Sequence, residues 1–210
     1  MSGQAPADGA RLRLASALTA VGVAAIAVPA TLRLLSGESS LWYLAVAVGV
    51  VLLVVAAVVA VTARRTAARE AAVRAERAGW ELHGVFSAAE LGPGLVAAGV
   101  WERRLSRSGG TPLTLAASPA GVELWRGAGA AAPVISLRWS QVASVRVGTG
   151  LSGPRRLPAV VVETMHGAAL PVLPARGGAS VLLPGGERDA AALVTALHAL
   201  RDGVPEHQSR

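Results

Sequence analysis

The sequence predicts a transmembrane α-helical hairpin joined to a small, mainly-β domain: an antiparallel sheet sandwich or barrel of about seven strands, closed by a C-terminal α-helix. Three observations carry this. Two long apolar runs stand near the N-terminus, a two-residue apolar alternation follows between about residues 95 and 183, and one amphipathic run closes the chain. The 210 residues have room for one modest domain and an anchor. Hydrophobic residues make up 52% and charged residues 16%. A soluble domain usually sits near 25% charged, and the deficit is concentrated between Leu14 and Ala63, where Arg33 and Glu38 are the only formal charges.

The N-terminal part reads as a short cytoplasmic stretch, 1–13, followed by two spans within 14–63. The first run, Leu14–Leu32, has 19 residues without a charge. As a helix it covers about 28 Å, close to the hydrocarbon thickness of a bilayer. The second, Leu41–Thr62, has 22 residues. It opens with Trp42-Tyr43, an aromatic pair suited to the headgroup level, and stops before Arg64-Arg65. The linker Ser36–Ser40 allows only a tight turn, so the two spans form an antiparallel hairpin. Arg11, Arg13, Arg64, Arg65, Arg69, Arg74 and Arg77 flank it on one side, against Arg33 and Glu38 at the turn. The positive-inside rule then puts both termini in the cytoplasm of a multi-pass protein of the cell membrane. The rival reading is a cleaved signal peptide, with Arg11 and Arg13 before an apolar stretch and small residues at Ala25-Ile26-Ala27.

Residues 64–94 are expected to form a basic juxtamembrane helix and linker, rich in Ala, Arg and Glu, with Glu70–Arg74 paired one turn apart and Gly79 as the stop. The β domain is expected over 95–203. An uncertain strand at Leu95–Trp101 comes first, followed by Leu113–Leu115. After a turn at Ser118–Gly121 come Val122–Trp125, the alternating Ile135, Leu137 and Trp139, and Val142–Val147. Val160–Thr164 and Ala169–Leu173 flank a His166-Gly167 hairpin turn, and Pro171 points to a sheet edge or a bulge. In Glu187–Arg201, Ala190, Leu193, Val194, Leu197 and Leu200 fall on one helical face. Residues 204–210 read as a disordered tail.

Leu113-Thr114-Leu115, Gly121-Val122-Glu123-Leu124-Trp125, the Trp139-Ser140-Gln141-Val142 corner before Ala143–Val147, and the closing helix together resemble the pleckstrin-homology-like fold, in the form found in bacterial membrane proteins (bPH). The resemblance covers about residues 95 to 202 and is architectural. It implies a non-enzymatic binding module, leaving the ligand open.

Chemistry-bearing motifs are sparse. No cysteine is present, which removes disulfides, thiolate nucleophiles and Cys-based metal sites. His83, His166, His198 and His207 have no ligand spacing, so no metal, cofactor or catalytic residue is expected. Gly148-Thr149-Gly150-Leu151-Ser152-Gly153 matches the dinucleotide fingerprint, but Pro154 and Pro158 follow where a helix would have to start, so it reads as a flexible inter-strand loop. All 20 basic residues are Arg and the net charge is +7. Basic flanks beside a bilayer account for that without nucleic acid. Two basic loops remain, with Arg103, Arg104 and Arg107 in one and Arg155 and Arg156 in the other, as contacts for anionic headgroups or an acidic partner. The leading expectation is a cytoplasmic protein-interaction scaffold held in the lipid bilayer, with a membrane or cytoplasmic protein as partner and no small-molecule substrate. Binding of anionic headgroups is the alternative. A third is an accessory transporter subunit, with Gly22, Ala25 and Gly49 packing on a neighbouring helix.

Overall fold

A computed structural model of the protein describes residues 41–100, 105, 107–127, 132–176 and 183–203, with side chains from residue 46 onward. The chain divides into two compact units, Met1–Val61 and Thr62–Arg210.

The first unit contains the apolar part of helix α1 (Leu41–Glu76). Val46–Glu76 is the one helix among the described residues long and apolar enough to cross a membrane. Most of its apolar side chains, Leu52 and Leu53 among them, are exposed. The expected first span, 14–32, lies outside the described residues, so the hairpin reduces here to one candidate span. The basic juxtamembrane helix expected after Thr62 is a continuation of α1. No helix breaker occurs before Gly79 (φ 83°), and the Ala, Arg and Glu residues continue α1 to Glu76.

In the second unit, seven strands form one curled antiparallel sheet in the order β4-β3-β2-β1-β7-β6-β5. They are β1 (Glu81–Ser87), β2 (Pro112–Ser118), β3 (Gly121–Trp125), β4 (Pro133–Arg138), β5 (Val142–Ser152), β6 (Arg155–Thr164) and β7 (Ala169–Pro174). A short 3-10 turn, Trp139–Gln141, makes the β4–β5 corner. There the Trp139 indole Nε1 donates to the Ser118 carbonyl at 2.9 Å, tying this corner to the β2–β3 turn.

Two elements differ from expectation. The uncertain strand at Leu95–Trp101 gives way to helix α2 (Leu91–Ala97), whose Leu91 and Leu95, one turn apart, are fully buried. Gly94 faces the Ala169 carbonyl with no room for a Cβ, so the Gly-Pro-Gly stretch is packing surface for β7 rather than a linker. The first strand, β1, falls inside the segment expected as linker. Its alternation is masked by His83 and Gly84, and the sheet begins ahead of residue 95.

Pro171 is accommodated in another way than at an edge strand. β7 lies between β1 and β6, but its pairing with β1 covers only Val172–Pro174. Pro171 therefore keeps the open side that a residue without an N–H requires. The glycine-rich fingerprint is not a flexible loop either. Gly148, Gly150 and Ser152 continue β5, and Gly153 (φ 56°) makes a tight hairpin. Gly150 admits the Ala88, Leu173 and Ala159 side chains against the strand.

The two sheet faces bury different partners. On the inner face, Leu113, Leu115, Val122, Leu124, Val160 and Val162 form the main core with Ala190, Leu193 and Leu197 of helix α3 (Glu187–Asp202). Helix α3 carries the expected apolar stripe and an Asp189 carboxylate that accepts the Gly186 N–H at 2.9 Å. The outer face holds a smaller cluster of Val73 from α1 with Ala116 and Trp125, flanked by Trp80 and Leu82. Gly94→Ala is expected to destabilise the full chain by about 1–3 kcal/mol through overpacking against backbone. Thermal unfolding in detergent checks this, with Gly92→Ala, where a Cβ meets nothing within 4 Å, as the silent control.

Candidate functional site

The C-terminal part of α1 presents Thr66, Arg69 and Val73, and Arg77 just past its end, at three- and four-residue intervals; the Arg77 N–H still donates to the Val73 carbonyl at 2.7 Å, which keeps the four on one face. That face lies on β2 and β3. Arg69 is 4% exposed. Its Nε donates to Thr114 Oγ1 at 2.8 Å, its Nη1 to the Pro112 carbonyl at 3.3 Å and its Nη2 to Thr66 Oγ1 at 3.5 Å. Eight residues on, Arg77 reaches Glu123. Its Nε and Nη2 donate to the two carboxylate oxygens at 3.0 and 3.2 Å, a bidentate pair. Glu123 is 4% exposed and accepts two further bonds, from Trp125 Nε1 at 3.0 Å and Ser136 Oγ at 3.1 Å. The Arg77 guanidinium sits 5.7 Å from the ring centroids of both Trp80 and Trp125, within cation–π range. The bond to Glu123 and its charge raise the Arg77 pKa above its ordinary value.

Because Arg69 contacts the start of β2 and Arg77 contacts β3 opposite Ala116, the helix runs along the sheet away from the β2 start. Thr62 to Arg69 therefore come in at the side where Gly109, Gly110 and Thr111 lead into β2. Arg64 and Arg65, both exposed, belong to this incoming stretch.

The two expected basic loops meet here. The Gly153 N–H donates to the Ser108 carbonyl at 2.6 Å, and the Ala89 N–H donates to the Leu151 carbonyl at 2.8 Å. Gly109 packs against the Leu151 and Ser87 carbonyls, where a side chain would collide with backbone. The β5–β6 hairpin tip is thus fastened to the loop before β2, which brings exposed Arg107 into one neighbourhood with exposed Arg155 and Arg156. Arg103 and Arg104 lie outside the described residues. Arg126, half-exposed after Trp125, follows the β3 position paired with Thr114 and falls at the same end; the sequence did not single it out. The carboxylate beside them, Glu90, accepts the Leu151 N–H at 3.0 Å. The arrangement is a basic surface built from four chain segments.

The remaining histidines are accounted for separately. His166 is exposed in the β6–β7 turn. His198 of α3 sits with Nε2 2.9 Å from the Val145 carbonyl. His83 on β1 is largely buried, its Nε2 without a hydrogen bond and 3.7 Å from the Glu81 carboxylate. Burial lowers its pKa, partly opposed by Glu81. Among the described residues no group of three or more His, Asp or Glu side chains could hold a metal ion. No protein-family model, curated protein or solved structure matches this chain.

The His83 shift fixes a direction of pH dependence. A histidine whose folded pKa is depressed binds fewer protons folded than unfolded, so stability rises with pH across the window below the ordinary value near 6.5. Melting temperature is expected to fall as the pH drops from 7.5 through about 6.5 and to level off below the folded pKa. His83→Gln is expected to flatten that part of the profile. An unchanged profile in the variant would assign the dependence to other groups.

Proposed function

We propose that this chain is a non-enzymatic, membrane-anchored module of pleckstrin-homology-like fold whose basic end docks on anionic lipid headgroups at the cytoplasmic face of the bilayer. One observation carries the reading. The Ser108–Gly153 bond gathers Arg107, Arg155 and Arg156 at the side of the domain where Arg64 and Arg65 come in. A cation near an anionic surface is worth about 1 kcal/mol, and several on one surface add to an attraction that salt screens. The curled seven-strand sheet with a closing helix supports the fold assignment. In this reading residues 14–32 form the first of two spans, the protein is multi-pass, and the surplus of flanking arginines keeps both termini cytoplasmic.

A protein-interaction scaffold is the second reading, favoured by the sheet's outermost long strand. Among the described residues β5 has no strand beyond it, and it leaves Val147 39% exposed. An accessory transporter subunit would share the same need for a partner.

The absence of cysteine makes the test direct. A Ser108→Cys chain, labelled with a fluorophore and reconstituted in nanodiscs, is read with a quencher attached to lipid headgroups. Quenching is expected to be stronger in phosphatidylglycerol mixtures than in phosphatidylcholine alone. It should fall with added salt and in an Arg155→Ala/Arg156→Ala chain. Equal quenching in both lipids would remove the headgroup reading. A tagged chain taken from native membranes in mild detergent is expected to carry a stoichiometric partner if the scaffold reading holds.

A further inference from the structure

We propose that the stretch of α1 from Thr66 to Arg77, with Trp80, is a releasable latch, docked on the outer face of β2 and β3 and fastened mainly by Arg77 on Glu123. The inference goes beyond headgroup docking and does not rest on it. Its basis is the contrast between the two helices that cover the sheet. Helix α3 is seated by a continuous apolar stripe in the main core. Helix α1 contributes one fully buried apolar side chain, Val73, while Ala67, Ala68, Ala71 and Ala75 are exposed. Beyond the helix end, Trp80 packs partly buried beside the same cluster, and the remaining hold on the sheet is polar.

The two arginines of that hold act in opposite senses. Arg77 meets a carboxylate, and Glu123 fills its remaining capacity from Trp125 and Ser136, so docking is rewarded. Arg69 is buried deeper, on the neutral oxygens of Thr114, Pro112 and Thr66. Removing a guanidinium from water onto neutral acceptors costs desolvation that the nearby Glu70 charge offsets only in part, and burial accordingly lowers its pKa. A helix held by one rewarded cation and opposed by another is poised to leave. Release converts Thr62–Trp80 from part of the domain into a tether, exposes Trp125 and frees Arg69 and Arg77 for other anions.

Spin labels at exposed Ala71→Cys and Ala120→Cys, on the helix and the β2–β3 turn, report the distance between latch and sheet in the full chain in nanodiscs. A second pair, Ala120→Cys with His166→Cys, reports the sheet alone. The parent is expected to show one narrow helix–sheet distance. Glu123→Gln and Arg77→Gln are each expected to add a displaced population, raised about tenfold or more, while the sheet pair keeps its distance. Adding Arg69→Met to Arg77→Gln is expected to shrink that population, since it removes the buried cation and leaves volume. An unchanged narrow distance in both single variants overturns the latch. So does simultaneous broadening of the sheet pair, which makes the clamp part of the fold's own stability. A double variant that opens further overturns the opposed roles of the two arginines.

Discussion

A buried carboxylate needs its oxygens filled, and the way Glu123 meets that need organises the outer half of the domain. With 4% exposure it is cut off from water, and four donors, two of them on Arg77, converge on its two oxygens. Ser136 brings in β4 and Trp125 fixes its own indole against β3. Arg77 brings in a helix that is otherwise almost without apolar purchase on the sheet. Losing one donor leaves a charge stranded at low dielectric, which costs more than the bond itself is worth. The geometry of α1 on the sheet is therefore tied to one ionised side chain.

That tie has a consequence at the other end of the same helix face. Fixing Arg77 at Glu123, opposite Ala116, and Arg69 at the Pro112 carbonyl sets the direction in which the chain enters, since eight helical residues and about four strand residues both span roughly 12–13 Å. The incoming arginines are delivered beside the loop before β2, to which the β5–β6 hairpin is fastened through Ser108 and Gly153. Glycine at 109 lets these backbones approach closely, and glycine at 150 makes room for the Ala88, Leu173 and Ala159 side chains. The basic surface is thus a product of close packing between segments far apart in sequence.

Much of the sheet was legible beforehand, because an apolar inner face imposes a two-residue period that Ile135–Trp139 displays openly and that Leu113-Thr114-Leu115 keeps although Thr114 is itself buried under α1. The closing helix was legible for the same reason at a period of 3.6. The misreadings have physical causes. In β1, His83 and Gly84 break the alternation where strand neighbours supply the burial. In α2, Gly92-Pro93-Gly94 looks like a linker, yet glycine is there for approach to Ala169. The fingerprint at Gly148–Gly153 uses its glycines to admit Ala88 and Val161 rather than a phosphate. As for the candidate site, Arg107, Arg155 and Arg156 were visible as two loops. The clamp left only faint signs: a carboxylate within Gly121–Trp125 and the four-residue spacing of Arg69, Val73 and Arg77.

By itself the sequence determined the properties that depend on short-range pattern. They are a helix long and apolar enough to cross a membrane, strands with an apolar inner face, an amphipathic closing helix, and a chain without thiols. The tertiary structure alone decided which strands neighbour each other, which arginines share a surface, and which of them reach a carboxylate. Periodicity fixes a side chain's face locally, whereas partnership between residues 46 positions apart depends on how the sheet curls and where a helix lies on it.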